Sequence, residues 1–143
     1  MNAAWSQEFF EQYARSRSVL DIERIASQYA DSFMFATPKG PQVAQKKAVV
    51  ASFPQVHAML TANGHLSTEV VSVDETLLDD HYLLARVRFL WRFVKTTSQP
   101  IDVHVESTFI LYIRHGGGMI VFQHEHQDFH DSLRAHGVLP AAS

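Results

Sequence analysis

The chain has 143 residues, of which 46% are hydrophobic and 19% charged, a composition that excludes disordered and fibrous classes. Its net charge is −3 and its basic residues are scattered, so nothing predicts binding to nucleic acid or to an anionic membrane surface. The lack of cysteine excludes disulfides, zinc-thiolate sites and thiol catalysis. With no apolar run near the ~20 residues of a membrane span and no leader pattern, we expect one cytoplasmic domain over residues 1–143.

The first third of the chain has helical periodicity. Apolar residues recur at helical spacing in two sets, from Trp5 to Ala14 and from Ile22 to Ala30, which predicts two helices with a short break between them. Phe33 and Phe35 then alternate into the turn residues 37–41, a pattern typical of a short strand.

A third helix is predicted from about residue 45 to residue 62, because its apolar residues again recur every three or four positions. Asn63 and Gly64 follow it, as expected of a helix end. Pro54 lies inside this segment and predicts a kink or a restart, since proline removes a helical hydrogen bond.

From His65 onward the hydrophobic pattern alternates, which predicts strands. Four long strands in an antiparallel meander are expected, at roughly residues 65–78, 82–95, 101–114 and 119–128. Long strands twist strongly, and the helices that precede them are expected to fill the concave side of the sheet. The predicted fold is therefore α+β with a core over about residues 5–129, and residues 130–143 are expected to form a mobile tail.

Alternation within the strands predicts which side chains face the core. In the third strand the odd-numbered residues 103–113 are mostly apolar, whereas Asp102, His104 and Glu106 belong to the even set. The preceding strand has apolar odd residues and a basic even set that includes Arg86 and Arg92. We therefore expect cross-strand ion pairs on the outer face rather than catalytic roles for these charges.

The glycines at 116–118 set the register of the last hairpin. A two-residue turn at Gly116-Gly117 would pair Phe109 with His124 and Ser107 with His126, which places both histidines on the inner face. A three-residue loop would instead place them opposite Ile110 and Thr108, on the outer face. We favour the first register because it matches apolar residues with apolar residues.

His124 and His126 are the candidates for chemistry in this register. A His-x-His pair supplies only two metal ligands and is a weak signature even with Asp128 on the same face, so no metal and no cofactor is expected. A histidine in an apolar wall is suited to general acid–base catalysis. The alternative is one buried histidine that is hydrogen-bonded and one exposed at the rim.

Two segments carry a family resemblance: LDIERIASQYADSFMF, starting at Leu20, and FILYIRHGGGMIVFQHEHQDF, starting at Phe109. With the order of elements, they resemble the nuclear-transport-factor-2-like superfamily, particularly its SnoaL-like branch. The resemblance implies a cystatin-like cone in which N-terminal helices pack in the concave face of a strongly curved antiparallel sheet. It also implies a homodimer through the sheet. Tyr13 matches a tyrosine of the ketosteroid isomerases, but Thr37 stands where they have the proton-shuttling aspartate.

The sequence leaves three functions open. The first is a SnoaL-like pocket for a small apolar or amphipathic molecule; the second is an isomerase, cyclase or hydratase-like enzyme with a histidine general base; the third is a non-catalytic dimerisation module. The expected catalytic residues are His124, His126 and Tyr13. The expected ligand-binding residues are Phe33, Phe35, Phe89, Trp91, Ser107, Phe109, Phe122 and Asp128.

Overall fold

A computed structural model of the protein describes residues 3–95, 99–115 and 117–140. Over these residues the chain forms, in order, α1 (Ala3–Val19), α2 (Ile22–Ser27), β1 (Tyr29–Thr37), β2 (Gly40–Gln45), α3 (Lys46–Ala62), β3 (His65–Leu77), β4 (Tyr82–Phe93), β5 (Ile101–Arg114), β6 (Gly117–Glu125) and α4 (Phe129–Ala135). None of the helices in the described residues is long and apolar enough to cross a membrane.

The six strands form one curved sheet in the order β2-β1-β6-β5-β4-β3. Neighbouring strands are antiparallel except β1 and β6, which are parallel. The N-terminal helix packs on the inner face of this sheet, where the ring of Phe10 lies 4.7 Å from that of Phe109 and the ring of Tyr13 lies 5.3 Å from that of Phe89. The predicted α+β cone is confirmed.

The sheet has two strands besides the predicted four-stranded meander: β1, which contains the short strand predicted at Phe33 and Phe35, and β2, which the sequence does not predict. The second helix ends at Ser27, so Tyr29 begins β1 rather than continuing the helix. The segment Gly40–Gln45 forms β2, an edge strand in which only Ala44 is buried. Such an edge has little apolar alternation and carries a proline, so its pairing with β1 rather than its own sequence defines it as a strand.

The third helix is close to its predicted span and continues through Pro54 without a restart. It ends at Ala62 with Asn63 as its C-cap, as predicted, and Gly64 follows with a φ of +86°. A Cβ at this position would lie 2.1 Å from the carbonyl oxygen of Val94. Glycine is therefore required here both by the backbone conformation and by the close approach of the chain.

The predicted faces of the two central strands are confirmed. Val87 and Phe93 of β4 and Val103, Phe109 and Leu111 of β5 are buried at 3% exposure or less. They form the inner face, against which the helices pack.

Charged side chains of the same strands pair across the outer face. Nε of Arg86 lies 2.8 Å from a carboxylate oxygen of Glu106, and Nε of Arg92 lies 2.9 Å from one of Asp102. The Arg92 pair lowers the pKa of Asp102. These are the cross-strand ion pairs that the sequence predicts, and they stabilise the sheet surface rather than form a site.

The C-terminal segment is ordered rather than a mobile tail up to residue 140. Asp128 is the N-cap of α4, where its Oδ1 accepts a hydrogen bond from the Asp131 backbone N–H at 3.0 Å. Leu133 and Val138 are buried at 0% and 1% exposure, so their apolar surface anchors the segment to the core. The prediction of a mobile tail is wrong for this part, and residues 141–143 lie outside the described residues.

Candidate functional site

A β-bulge in β6 decides which side chains of the last strand face inward. The predicted pairing of the hairpin is wrong: Leu111 pairs with Ile120, and Ile110 pairs with Phe122, which leaves Val121 as an extra residue. One extra residue reverses the alternation of all residues that follow it in the strand. Gly116, part of the predicted turn, lies outside the described residues.

The two histidines consequently lie on the outer face. His124 pairs with Thr108, and the Nε2 atom of His126 lies 2.7 Å from Oγ1 of the same threonine. The histidine rings stack with their centroids 4.6 Å apart. Partial burial and the nearby His124 lower the pKa of His126. The predicted inward position of both histidines is therefore wrong, as is that of Phe122, which is opposite Ile110 on the same outer face.

A cavity of about 350 Å³ lies between the helices and the strands β1 and β6. A smaller cavity of about 140 Å³ adjoins it and shares part of its wall. The side chains common to both are Tyr13, Phe53, Val56, Glu125 and Phe129. The walls are mainly apolar, as expected of a small-molecule site.

Most of the predicted wall residues border these two cavities. Phe33, Phe35 and Asp128 line the larger one, and Phe89, Trp91 and Ser107 line the smaller one. Phe109 instead lies behind the wall in the core, at 0% exposure, in contact with the rings of Phe10 and Tyr13.

Five polar residues form a connected chain on the inner side of the larger cavity, here called the polar wall: Tyr13, Arg17, Tyr29, Gln123 and Glu125. Arg17 Nη2 donates to the Tyr29 hydroxyl at 2.7 Å, and that hydroxyl donates to Oε1 of Gln123 at 2.7 Å. Nε2 of Gln123 donates to the Tyr13 hydroxyl at 3.3 Å and to Oε1 of Glu125 at 3.4 Å. Gln123 thus links the two tyrosines to the carboxyl group.

Burial in this wall raises the pKa of Glu125 from its ordinary 4.5 to about 7. The negative charge of Asp128 adds to the rise, while the positive charge of Arg17 and the Gln123 hydrogen bond oppose it. A carboxyl group with this pKa exchanges a proton near neutral pH, which is the property of a general acid or base. Burial also raises the pKa of Tyr29 well above its ordinary value, so its hydroxyl keeps its proton.

Arg17 brings a positive charge to the same cavity. Its guanidinium lies over the Tyr13 ring at 3.5 Å and 5.2 Å from the Phe53 ring centroid. Its Nη1 atom donates to the Tyr13 backbone carbonyl at 3.4 Å. Stacking on aromatic faces fixes the plane of the guanidinium.

Asp128 lines the larger cavity but is already bonded to the protein. Besides capping α4, its carboxylate lies 3.3 Å from Nζ of Lys39. The Asp131 backbone N–H, with a contribution from Lys39, lowers the pKa of Asp128. In the described part of the chain, no three His, Cys, Asp or Glu side chains are grouped so as to hold a metal ion.

Four members of the polar wall are not among the residues predicted from the sequence: Arg17, Tyr29, Gln123 and Glu125. A usable signal existed for Arg17, because it follows Tyr13 by four positions and therefore shares its helix face. Gln123 and Glu125 alternate with the two histidines. A bulge that the sequence does not mark decides whether Gln123 and Glu125 or the two histidines face inward.

The fold and cavity together define an α+β cone with helices in its concave face and a pocket between them. A family model described as NTF2-like protein (DUF6841) matches residues 3–128. The chain belongs to this NTF2-like family. Its place in the SnoaL-like branch stays a prediction.

Solved structures share this fold at low sequence identity. An NTF2-like protein with a cystatin-like fold from Novosphingobium aromaticivorans is 15% identical, with a TM-score of 0.73 over 96% of this chain and 88% of that one. An NTF2-like protein from Shewanella oneidensis MR-1 is 10% identical, with a TM-score of 0.69 over 89% and 100%. LinA is 11% identical, with a TM-score of 0.68 over 88% and 85%. No curated protein matches the chain.

Proposed function

We propose that the cavity binds a small, largely apolar molecule that presents one polar group to the polar wall. The observation that carries this proposal is the cavity of about 350 Å³, with aromatic walls and five connected polar side chains on one side. Small-molecule pockets have this size and this combination of apolar walls with a few converging polar groups. The NTF2-like fold supports the proposal, since its members bind small molecules or act as enzymes.

Binding is tested with the neutral fluorescent probe N-phenylnaphthylamine, whose emission rises in an apolar pocket. Val56 borders both cavities, so Val56→Trp fills shared space and is expected to weaken probe binding about tenfold or more. Ala58→Trp is the matched control, because Ala58 is exposed on the same helix. Equal probe affinity in the wild type and Val56→Trp, with both folded by circular dichroism, would contradict the proposal.

A second candidate function is acid–base catalysis in this cavity, with Glu125 rather than a histidine as the base. The observation that favours it is the position of Glu125 in the wall that both cavities share, with a pKa raised to about 7. A base of this pKa removes a proton from carbon next to a carbonyl, as an isomerase requires, or from water, as a hydratase requires. Gln123 holds the carboxyl group through its amide.

This chemistry is tested by following deuterium exchange at C1, the benzylic α-carbon of β-tetralone, a cyclic ketone fused to a benzene ring, in heavy water by NMR. We expect the wild type to accelerate exchange and Glu125→Gln to lose about 100-fold or more of that acceleration. His124→Ala serves as the comparison, since His124 lies on the outer face, and it should exchange at the wild-type rate. Loss with His124→Ala but not with Glu125→Gln would refute the role of Glu125.

We also propose a homodimer through the outer face of the sheet. Successive strands place five apolar side chains in directly paired positions across that face: Leu84, Ile110, Phe122, Met34 and Val43. The last two are 37% and 66% exposed. A continuous apolar row of this kind across a sheet surface is typical of a protein interface.

Light scattering after size-exclusion chromatography tests the dimer. Ile110→Glu puts a charge within the apolar row and should convert a dimer to a monomer, because burying an unpaired carboxylate is costly. Leu66→Glu is the control, since Leu66 is 62% exposed on β3 and is not part of the row. A wild type that is monomeric at high protein concentration would contradict the proposal.

A further inference from the structure

Arg17 is a cation held in a mainly apolar cavity. Its guanidinium carries five N–H donors in one plane. Within the protein the guanidinium donates two hydrogen bonds, from Nη1 to the Tyr13 carbonyl and from Nη2 to the Tyr29 hydroxyl. Both acceptors are uncharged when Tyr29 keeps its proton, so the remaining donors and the full positive charge are available to a molecule in the cavity.

No carboxylate of the described residues forms an ion pair with Arg17, that is, none lies within 4.0 Å of its guanidinium nitrogens. Glu125 is near enough for its titration to respond to the charge of Arg17, but the two are not in contact. The other arginine–carboxylate pairs of this chain, such as Arg86 with Glu106, lie on the outer surface and contact directly. Arg17 differs from these arginines in that it borders the cavity and has no carboxylate partner among the described residues.

We propose that the ligand of the cavity is an apolar monocarboxylate, such as an aromatic acid, whose carboxylate accepts hydrogen bonds from Arg17. This inference rests on the proposed pocket function. The planar guanidinium matches a carboxylate in a two-point hydrogen bond, and its stacking on Tyr13 fixes the plane in advance. The apolar part of the molecule would lie against Phe35, Phe53 and Phe129, which line the same cavity.

The charge balance favours one negative charge on the ligand. Arg17 supplies one positive charge to the larger cavity, which is also bordered by the carboxyl groups of Glu125 and Asp128 and by the titratable side chain of His130. The Asp128 carboxylate is already paired with Lys39. A dianion such as a phosphate monoester would leave one of its charges uncompensated in an apolar surrounding, which is costly. The charge of a monoanion is neutralised by Arg17. The bound anion also disfavours a negative charge on Glu125, so Glu125 should take up a proton when the ligand binds above neutral pH.

Two aromatic probes of nearly equal shape test the ligand class: naphthoate, an anion, and naphthamide, its neutral analogue. Isothermal titration calorimetry of the wild type just below neutral pH should give about 10- to 100-fold tighter binding of naphthoate, as expected for a charge-assisted hydrogen bond. Arg17→Gln should reduce the ratio of the two affinities to about one. Arg15→Gln, which changes an exposed arginine of the same helix, should keep the wild-type ratio.

The measured ratio separates the possible results. Equal binding of both probes by the wild type overturns the carboxylate preference but leaves the pocket function standing. A loss of both probes in Arg17→Gln, with the ratio unchanged, means that Arg17 acts only by holding Tyr13 and Tyr29, and this also overturns the inference. If neither probe binds the wild type, the pocket function fails as well.

Proton uptake gives an independent readout. Titrations of naphthoate above neutral pH in two buffers of different ionisation enthalpy should give different apparent enthalpies in the wild type, because Glu125 takes up a proton from the buffer. The difference should disappear in Glu125→Gln, and naphthamide should show none in either protein. A proton uptake that persists unchanged in Glu125→Gln would overturn the placement of the ligand charge next to Glu125.

Discussion

The carboxyl group of Glu125 should make the stability of this protein fall as pH rises through neutrality. Burial raises its pKa from an ordinary 4.5 to about 7 in the folded chain, so between these values the folded state binds more protons than the unfolded state. Folding stability therefore decreases with pH across this window, and the loss is complete only above about pH 7. At about 1.4 kcal/mol for each pH unit between the two pKa values, the full effect is about 3 kcal/mol.

Replacing Glu125 by glutamine removes this titration, so the pH dependence of the difference between the two proteins measures it. Urea unfolding should show a small, constant difference below about pH 4.5, and Glu125→Gln should become the more stable protein by up to about 3 kcal/mol near pH 8. Glu8→Gln, which removes an exposed carboxylate from α1, corrects for the loss of one negative charge. A difference between the wild type and Glu125→Gln that stays constant from acid to alkaline pH would refute the reasoning.

Three further substitutions test the packing that supports the cavity, each by urea unfolding. Phe109→Ala should destabilise the protein by about 3–5 kcal/mol, since Phe109 is 0% exposed under the cavity wall, and a loss below about 1 kcal/mol would contradict this position. Gly64→Ala should cost more than Gly40→Ala, because both have positive φ but only the Cβ at Gly64 meets the Val94 carbonyl; equal losses would contradict the close approach. Asp128→Ala should cost about 1 kcal/mol through loss of the α4 N-cap, and no loss would contradict its capping role.

The sequence predicts the helices and the central strands well, because their apolar residues repeat with a regular period. The inner face of β5 follows from alternation alone, and Val103, Phe109 and Leu111 are indeed buried. Gly64 predicts the end of α3 for a local reason, its left-handed backbone. These features depend on residues close together in the chain.

The features that the sequence does not predict depend on contacts between distant residues. The strand β2 exists because β1 pairs with it, although only Ala44 of its side chains is buried. The segment after residue 128 is ordered because Leu133 and Val138 reach the core. Its short polar helix has no long apolar stripe of its own, so local pattern gave no reason to expect order.

The chemistry of the candidate site depends on one residue, Val121. At the turn of the last hairpin, Arg114 pairs with Gly117. This pairing differs from the predicted register by two residues, so the same side chains of β6 would still face inward. Continued without a bulge, the observed pairing would place His124 opposite Ser107 on the inner face. Val121 is left unpaired instead, so Glu125 takes the place opposite Ser107. The bulge thus exchanges imidazole for a carboxyl group in the cavity wall, and with a buried carboxyl group comes a base that titrates near neutral pH beside the charge of Arg17.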